Sequence, residues 1–402
     1  MRVGWKTITL NDACIQMNGI WKGTKEPLVP AKVLRTTNFS KDCRIKLDDL
    51  AIIDVEKKKL DARRLQRGDI IVEKSGGGPK QPVGRVILFD MDDDDYSFCN
   101  FTSALRIKDK EQLDYNYLHK YLTYLYFDGE TEKYQSNLVG FRNLDFKGYV
   151  GIEVPYPSLT EQQRIVDILD QEFAKIDALK ANAEKALQAA KDLFQATLKK
   201  ELEPKEGWKR YCLQDVCTDY GDYGMSLPSK SFDGVRYLRI TDITEWGDLN
   251  DDKVSVDADE IDERYMVRAG DILFARTGAT VGKTLVYEER FGRCCYAGYL
   301  IRYRPDQSIV LPRMLYYITH SVSYYEWVAI SQKSATLPNI SAKLYNSYEL
   351  SLPSTKEQGR IISQLDELNE KCLVLQQNYQ KTLALCDDLK QAILRKAFNG
   401  EL

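Results

Sequence analysis

Histidine is scarce in this sequence, and long apolar runs are missing altogether. Only two of the 402 residues are histidine, and none of the nine cysteines lies in a Cys-x-x-Cys pair, so a zinc site built from cysteine and histidine is not expected. No stretch of about 18 apolar residues occurs, which argues against a membrane-spanning helix. The first ten residues lack the apolar core of an export signal, so we expect a cytoplasmic chain with reduced, mostly buried cysteines.

An excess of positive charge is also missing. The 57 lysines and arginines are outnumbered by 60 aspartates and glutamates, which gives a net charge of −3. A free-standing DNA-binding protein is usually basic, so any DNA-binding surface on this chain must be a local one. The length predicts two or three domains, and a hydrophobic content of 43% is typical of globular protein.

Motifs for catalysis are incomplete. The segment GATVGKT, Gly278 to Thr284, resembles a phosphate-binding loop, but three residues instead of four separate its glycines, and a strand-like segment follows instead of a helix. Glu56 lies in the charge run VEKKKLDARR, which is typical of a solvated face. His119 and His320 lie in tyrosine-rich helical stretches, and we interpret both as packing residues. We therefore expect no catalysis, no cofactor and no metal ion.

What the sequence does contain is an internal repeat. Trp5-Lys6 precedes LNDACIQ, and Trp208-Lys209 precedes LQDVCTD. In the same order, VLRTTNF corresponds to YLRITDI, LQRGDIIVEKSGG to VRAGDILFARTGA, and TEQQRI to TKEQGRI, each pair roughly 200 positions apart. Several collinear matches in one order indicate a duplicated module.

Each copy begins with short segments rich in β-branched and aromatic residues, separated by glycine, proline, asparagine and aspartate. GDIIVEK, GRVILFD, GDILFAR and KTLVYEE are predicted strands. A tyrosine-rich helical stretch follows, and a proline-containing connector then leads into a long helix. The pattern predicts an α+β protein with two β-rich α/β segments, each followed by a long helix.

The two long helices are predicted at about 161–202 and about 357–398. Apolar residues recur in steps of three and four over roughly five heptads, which is typical of a coiled-coil seam. We expect the two helices to pair with each other; the alternative is that each helix packs on its own globular segment. The first seam comprises Ile165, Leu169, Phe173, Ile176, Leu179, Ala183, Leu187, Ala190, Phe194 and Leu198. The second comprises Ile361, Leu365, Leu368, Cys372, Leu375, Tyr379, Leu383, Cys386, Leu389 and Ile393.

Polar and basic side chains recur in matched loops of the two copies. Lysine and arginine neutralise phosphates, arginine reads guanine edges, asparagine reads adenine, and glycine allows close approach to a groove. Each residue alone could serve as a cap or a surface residue, but the recurrence favours a shared DNA-binding surface. The candidates are Lys74, Ser75, Lys80, Arg85, Arg142 and Asn143 in the first copy and Arg276, Thr277, Lys283, Lys333, Asn339 and Lys343 in the second.

The whole chain resembles the specificity subunits of type I restriction-modification enzymes. The residues that carry the resemblance are GDIIVEKSGGGPKQPVGR and GDILFARTGATVGK, the connectors PSLTEQQRIVDIL and PSTKEQGRIISQL, and the helix ends ATLKKEL and LRKAFNGEL. No single motif is decisive, but their order and duplication are specific. In that family the globular segments are target-recognition domains that each read one half of a split DNA site. The helices form an antiparallel coiled coil that sets the spacing and docks two methyltransferase subunits.

The resemblance implies four segments and a set of partners. Target-recognition domains are expected at 1–157 and 204–353, and coiled-coil helices at 158–203 and 354–402. The implied partners are double-stranded DNA with a bipartite site and two methyltransferase subunits, and restriction or translocase subunits are further candidates. Catalysis, methyl donor, magnesium and ATP would belong to those partners. The coiled-coil and partner-binding candidates are Ile165, Leu169, Phe173, Ile176, Ile361, Leu365, Leu368 and Leu375.

Two other functions remain open at this point. A coiled-coil scaffold with two protein-binding domains would retain a protein partner without binding DNA. A P-loop ATPase or a nuclease would hydrolyse ATP or cleave DNA by itself, against which the short glycine spacing and the scarcity of histidine both argue.

Overall fold

The computed structural model describes residues 4–78, 81–93, 95–138, 141–244, 246–332 and 338–402. It divides into two compact units, and the first is discontinuous in sequence. Unit 1 comprises Met1–Ala183 together with Lys381–Leu402, and unit 2 comprises Glu184–Gln380. No helix in the described part of the chain has the length and apolar character needed to cross a membrane.

Unit 1 contains twelve described strands and four short or medium helices, followed by the start of a long helix. The strands are β1 Lys6–Thr9, β2 Cys14–Asn18, β3 Leu28–Leu34, β4 Ala51–Glu56, β5 Asp69–Glu73, β6 Ser75–Gly77, β7 Val86–Phe89, β8 Tyr96–Phe98, β9 Thr102–Ile107, β10 Gln135–Leu138, β11 Phe141–Leu144 and β12 Glu153–Tyr156. The helices are α1 Leu10–Ala13, α2 Lys57–Arg63, α3 Tyr115–Phe127, α4 Phe146–Tyr149 and the long α5 Leu159–Leu202.

Unit 2 contains ten described strands, most of them shorter than those of unit 1. Its strands are β13 Lys209–Cys212, β14 Asp222–Tyr223, β15 Lys230–Ser231, β16 Arg236–Leu238, β17 Val254–Ser255, β18 Ile272–Ala275, β19 Thr284–Val286, β20 Cys294–Tyr296, β21 Leu300–Tyr303 and β22 Glu349–Leu352. Its helices are α6 Pro312–Thr319, α7 Val322–Ser331, α8 Ala342–Asn346 and the long α9 Thr355–Asn399. The tyrosine-rich stretch that predicts one helix here forms two, because the chain turns at His320 and Ser321 caps α7.

Corresponding sheets confirm the predicted duplication. A four-stranded antiparallel sheet has the order β2-β9-β5-β7 in unit 1 and β14-β21-β18-β19 in unit 2. The strand after the first tryptophan pairs with the strand before the long helix in both units, as β1-β12 and β13-β22. A parallel pair, β3-β8 in one unit and β16-β20 in the other, also recurs. The four predicted strands are β5, β7, β18 and β19.

The Gly-Asp dipeptide before β5 and β18 forms the same turn in each unit. Gly68 and Gly270 have φ angles of +98° and +88°, a backbone region that favours glycine. Asp69 then accepts from Gln66 N and pairs with Arg106 at 2.7 Å, and Asp271 accepts from Arg268 N in the matched turn. The motif is therefore a structural one, and it fixes the start of the central strand.

A buried glutamine ties each long helix to its own unit. The Gln162 amide donates to Gln112 O and Pro157 O, and its oxygen accepts from Asp114 N at 2.9 Å. Gln358 makes the matched contacts to Ile309 O, Pro353 O and Leu311 N. Both side chains are fully buried, so the glutamine of the shared Glu-Gln motif stabilises the start of each long helix and is not a binding residue.

Each unit also contains a segment of the other long helix. In unit 1 the end of α9 packs into the core, where Phe398 contacts Tyr117 edge-on with ring centroids 5.5 Å apart. In unit 2 the end of α5 does the same through Phe194, which lies 6.4 Å from Tyr317. The ends of the two long helices therefore occupy corresponding places.

Most residues of the predicted seam are buried or partly buried, but one leucine of α5 and two of α9 are exposed. Leu179, Leu375 and Leu389 are 54%, 43% and 46% exposed, whereas Gln376 and Lys390 are buried. A straight helix of 3.6 residues per turn drifts by about 20° per heptad relative to a 3.5-residue repeat, so the buried face moves off the leucines. Lys390 is tolerated there because its ammonium pairs with Asp177.

Candidate nucleic-acid interface

Three chain segments meet at Lys74 in unit 1. Lys74 follows β5; its amide donates to Phe101 O at 2.9 Å, and its carbonyl accepts from Leu144 N at 2.8 Å. Strand β6 then pairs with β11, which places Ser75 opposite Asn143. The loops after Gly-Asp-Ile-Ile and around Gly-Phe-Arg-Asn-Leu, separate in sequence, are thus adjacent.

The same three segments meet at Arg276 in unit 2. The Arg276 amide donates to Tyr299 O at 3.0 Å, and its carbonyl accepts from Ile340 N at 2.8 Å. Thr277 forms a bridge with Asn339, as Ser75 pairs with Asn143 in unit 1. We call this arrangement, centred on Lys74 in one unit and on Arg276 in the other, the loop frame.

The side chains of the unit 2 loop frame are mutually oriented. The Arg276 guanidinium lies 4.7 Å from the centre of the Tyr223 ring, and its Nε donates to Asn339 Oδ1 at 3.3 Å. The Thr277 hydroxyl donates to Pro338 O at 3.2 Å. The exposed surface here therefore combines a positive charge, an aromatic ring and an amide.

The unit 1 loop frame carries the same residue types in a different geometry. Lys74 donates to Asn18 Oδ1 at 3.0 Å and lies 5.6 Å from the centre of the Phe146 ring. Partial burial lowers the pKa of the Lys74 ammonium. Arg142, on β11, donates to the Gln135 amide oxygen at 3.4 Å. Lys74 and Arg142 flank this surface as two separate cations.

Arg85 departs from its predicted role. Its guanidinium is buried and makes two bonds of 2.8 Å to the carboxylate of Glu73, with a third to Phe39 O. A cation enclosed in this way does not face a phosphate. The matched residues of unit 2 are Ala275 and Lys283. The half-buried Lys283 amine donates to Ile243 O at 3.5 Å, and it forms no ion pair with a carboxylate in the described part of the chain.

The remaining candidates fall at other places. Lys343 is exposed on α8, one turn after Asn339. Lys283 lines a cavity of about 500 Å³ that also contains Gly278 and Pro338. Lys80 and Lys333 lie outside the described residues. The two predicted loop groups are thus brought together in each unit, with Arg85 withdrawn into the core.

Sequence reasoning missed the aromatic members of the loop frame. Phe101 and Tyr299 occupy matched positions opposite Lys74 and Arg276 and are 49% and 62% exposed. Tyr223, 40% exposed, was also missed, as was its unit 1 counterpart Asn18. Extending the shift that aligns Val83-Gly84-Arg85 with Val281-Gly282-Lys283 would have paired SFCNF with CYAGY and so matched the two aromatic positions.

A glycine with a positive φ angle lies in the turn between the loop frame and the next strand, which is β7 in unit 1 and β19 in unit 2. Gly84 and Gly282 have φ angles of +102° and +88°. A Cβ atom at Gly282 would lie 2.9 Å from the Val328 side chain, and one at Gly84 would lie 3.1 Å from Thr131. The GATVGKT segment is therefore a turn that leads into β19, and the helix that a phosphate-binding loop requires does not follow it.

His320 lies in the packed interior, whereas His119 is half-buried and lines a cavity with Thr123 and Phe173. His320 is buried, and burial lowers its pKa to about 4 while its Nδ1 lies 2.7 Å from Tyr316 O. Burial likewise lowers the pKa of His119 to about 4. Among the described residues, no three side chains of histidine, cysteine, aspartate or glutamate are placed to hold a metal ion.

Most of the proposed partner-binding residues of the long helices are internal. Leu368 is partly buried and Leu375 is exposed. The other six are buried in the core of their own unit: Ile165, Leu169, Phe173, Ile176, Ile361 and Leu365.

Comparisons with known proteins agree with this architecture. A family model described as the type I restriction modification DNA specificity domain matches the chain twice, over residues 2–189 and 205–384. The EcoBI specificity subunit of Escherichia coli is 28% identical over 62% of this chain and 58% of that protein, less than two thirds of its length. The StySPI specificity subunit of Salmonella potsdam is 23% identical over 99% of this chain and 89% of that protein.

Solved structures show the same fold over the full length. A chain from a study of complex assembly and conformational transition in the type I R-M system has a TM-score of 0.78 at 22% identity, covering 100% of this chain and 99% of that one. The HsdS subunit from Thermoanaerobacter tengcongensis has a TM-score of 0.53 at 20% identity, covering 99% and 97%. With two matched domains over most of its length, the chain belongs to the type I restriction-modification DNA specificity family.

Proposed function

We propose that this chain is the DNA sequence-specificity subunit of a type I restriction-modification complex and catalyses no reaction itself. Each unit reads one half of a bipartite double-stranded DNA site. The observation that carries the proposal is the loop frame, which brings a cation, an amide and an aromatic ring together at matched places in both units. These are the side-chain types that contact phosphates and base edges.

The two units would read different half-sites. The central cation is Lys74 in one unit and Arg276 in the other, and their ring partners differ as well. A lysine is a compact point charge, whereas an arginine presents a planar donor fork. Two unlike readers favour an asymmetric target. The proposed DNA-contacting set is Lys74, Ser75, Lys80, Arg142, Asn143, Arg276, Thr277, Lys283, Lys333, Asn339 and Lys343.

The proposal assigns the spacing of the two half-sites to the long helices, paired as an antiparallel coiled coil. Contacts within each unit support the direction. In unit 1, Lys180 pairs with Asp387 at 2.8 Å while Asp177 pairs with Lys390, so rising numbers on α5 meet falling numbers on α9. In unit 2, the Cys372 thiol donates to Ala190 O. The domains are proposed as 1–157, 158–203, 204–353 and 354–402.

Two methyltransferase subunits would dock on apolar side chains that the long helices leave exposed. The predicted residues buried in the unit cores serve the fold instead. On both helices other large apolar residues remain 43–65% exposed: Leu179, Leu193, Val374, Leu375, Leu385 and Leu389. The exposure of these six apolar side chains supports a docking role for the helices.

Deleting the gene from its host and comparing genome methylation tests the function. We expect methylation to disappear from one bipartite motif with a constant gap and to return when the wild-type gene is restored. Methylation unchanged at every motif would contradict the proposal. A chain that retains protein partners without any effect on methylation would instead be the scaffold.

A further inference from the structure

Arg276 is held in one plane by two neighbours. Its guanidinium lies 4.7 Å from the centre of the Tyr223 ring, and its Nε donates to Asn339 Oδ1 at 3.3 Å. Both neighbours are themselves fixed: the Tyr223 hydroxyl accepts from Ala342 N at 2.9 Å, and the chain after Asn339 bonds back through Ile340 N to Arg276 O. The orientation of the guanidinium is thus set before any ligand arrives.

The outer edge of this guanidinium has no protein partner within the described ranges. In the described part of the chain, the Arg276 side chain donates through Nε to Asn339. No described carboxylate lies within ion-pair distance of the Arg276 guanidinium. Other arginines of unit 2, namely Arg239, Arg302 and Arg304, are paired with aspartates. Arg276 therefore presents its two terminal nitrogens as an oriented and uncompensated pair of donors.

Resting on the proposed function, we infer that Arg276 reads a guanine in the half-site that unit 2 recognises. Guanine presents two acceptors, O6 and N7, side by side in the major groove, and a planar arginine fork matches both. The same fork can also bind two phosphate oxygens. The neighbouring Asn339 amide, a group that itself bonds to base edges, favours a base over the DNA backbone.

The matched position of unit 1 lacks this device. The Lys74 ammonium is already bonded to Asn18 and carries no fork. The requirement for guanine is thus assigned to the half-site of unit 2 only. This difference between the two units is the physical basis of the asymmetric DNA target.

Selection from a randomised duplex library tests the inference and does not require the target sequence at the outset. The full chain, co-expressed with the methyltransferase subunits of its host, binds linear duplexes with a random central segment, and the bound DNA is sequenced. We expect two short blocks with a constant gap. In Arg276→Lys, the preference for guanine at one position of one block falls about 5- to 150-fold, because a bidentate contact is worth about 1–3 kcal/mol. All other positions keep their preference.

The matched control is Arg268→Lys, at an exposed arginine of the same unit that precedes the Gly-Asp turn. It should leave both blocks unchanged. A uniform loss of affinity in Arg276→Lys without a change in base preference would mean a phosphate contact and would overturn the guanine assignment. An unchanged preference would overturn it as well.

A base analogue makes the test independent of the fold of the variant. Replacing the selected guanine by 7-deazaguanine removes the N7 acceptor, so the wild-type complex should lose affinity, whereas Arg276→Lys, which already lacks the bidentate contact, should lose much less. Equal losses in both proteins would overturn the inference. If the wild-type complex selects no sequence at all, the proposed function and the inference fail together, whereas selection without coupling to Arg276 removes the inference alone.

Discussion

At the scale of single residues, the two units solve the same packing problem with different chemistry. Where unit 1 has the buried pair Glu73 and Arg85, unit 2 has Ala275 and Lys283 at matched positions of the backbone. A buried charge is stable only with its partner, and removal of one partner costs more than replacement of both.

This comparison predicts a rescue. Glu73→Ala should lower the free energy of unfolding by about 3–5 kcal/mol, because it leaves the Arg85 guanidinium buried without a counter-charge. The double variant Glu73→Ala with Arg85→Met removes both charges and should recover most of the loss. Urea denaturation of the three proteins measures both changes. A double variant no more stable than the single one would show that the carboxylate has another role.

The two histidines predict how stability depends on pH. Burial lowers the pKa of His320 from 6.5 to about 4, so between these values the unfolded chain binds a proton that the folded chain does not. Stability conferred by the neutral imidazole is complete above pH 6.5 and falls as the pH falls toward 4, by about 3 kcal/mol in total.

Substitution isolates this effect. In His320→Gln, the slope of the unfolding free energy against pH between pH 6.5 and 4 should be smaller than in the wild type. The difference should correspond to one bound proton. His119→Gln should reduce the slope by the same amount, because burial lowers the pKa of His119 to about 4 as well, and the double variant should lose both contributions. Identical slopes for the wild type and His320→Gln would show that the imidazole is protonated in the folded chain.

The burial of single residues could be predicted for the cysteines but not for Arg85. The cysteines were expected to be small buried residues, and seven of the nine are buried. Arg85 was expected on the surface because the repeat alignment matches it with Lys283. The alignment does not show that the Glu73 carboxylate lies close enough to pair with Arg85. Whether a cation faces solvent depends on the side chains of the adjacent chain segment, and its residue type alone does not decide this.

At the scale of elements, long periodic segments were predictable and loop geometry was not. The strands after both Gly-Asp turns and the two long helices follow from local pattern, since burial on one face imposes a period on the sequence. The meeting of three segments in the loop frame depends on hydrogen bonds between residues 27 and 70 positions apart, such as Lys74 with Phe101 and with Leu144. No local pattern encodes such contacts.

Two leucines of α5 test the observed packing of the helix against the predicted seam. Leu169 is fully buried and Leu179 is 54% exposed, although both belong to the predicted seam. Leu169→Ala should cost about 3 kcal/mol, because it removes buried apolar volume and leaves a cavity, whereas Leu179→Ala should cost less than about 0.5 kcal/mol. Thermal unfolding measures both. Equal costs would indicate that the seam of α5 includes Leu179 after all.

At the scale of the whole molecule, the low net charge is compatible with DNA binding because the charge is distributed unevenly. Many arginines are bound to carboxylates inside the units, as Arg106 is to Asp69 and Arg304 is to Asp271. In the described part of the loop frame, Lys74, Arg142 and Arg276 are half-exposed and form no ion pair with a carboxylate. A count of charges over the chain therefore underestimates the positive potential that a DNA groove would meet.

The proposed spacing role of the long helices gives a prediction about the entire target. Both helices pass from one unit to the other, α5 after Ala183 and α9 after Gln380. Four helix-forming residues inserted at both places add about 6 Å and close to one full turn, so the buried faces stay in register. At about 3.4 Å per base pair along each strand, the gap between the two half-sites should grow by about two base pairs.

The randomised duplex selection measures that gap directly. The double insertion should leave the base preferences of both blocks intact while it lengthens the interval between them. Four residues inserted instead into the linker at 203–207, outside both helices, should leave the interval as in the wild type. An interval that does not change with the helix insertions would mean that something other than the helices sets the distance between the two readers.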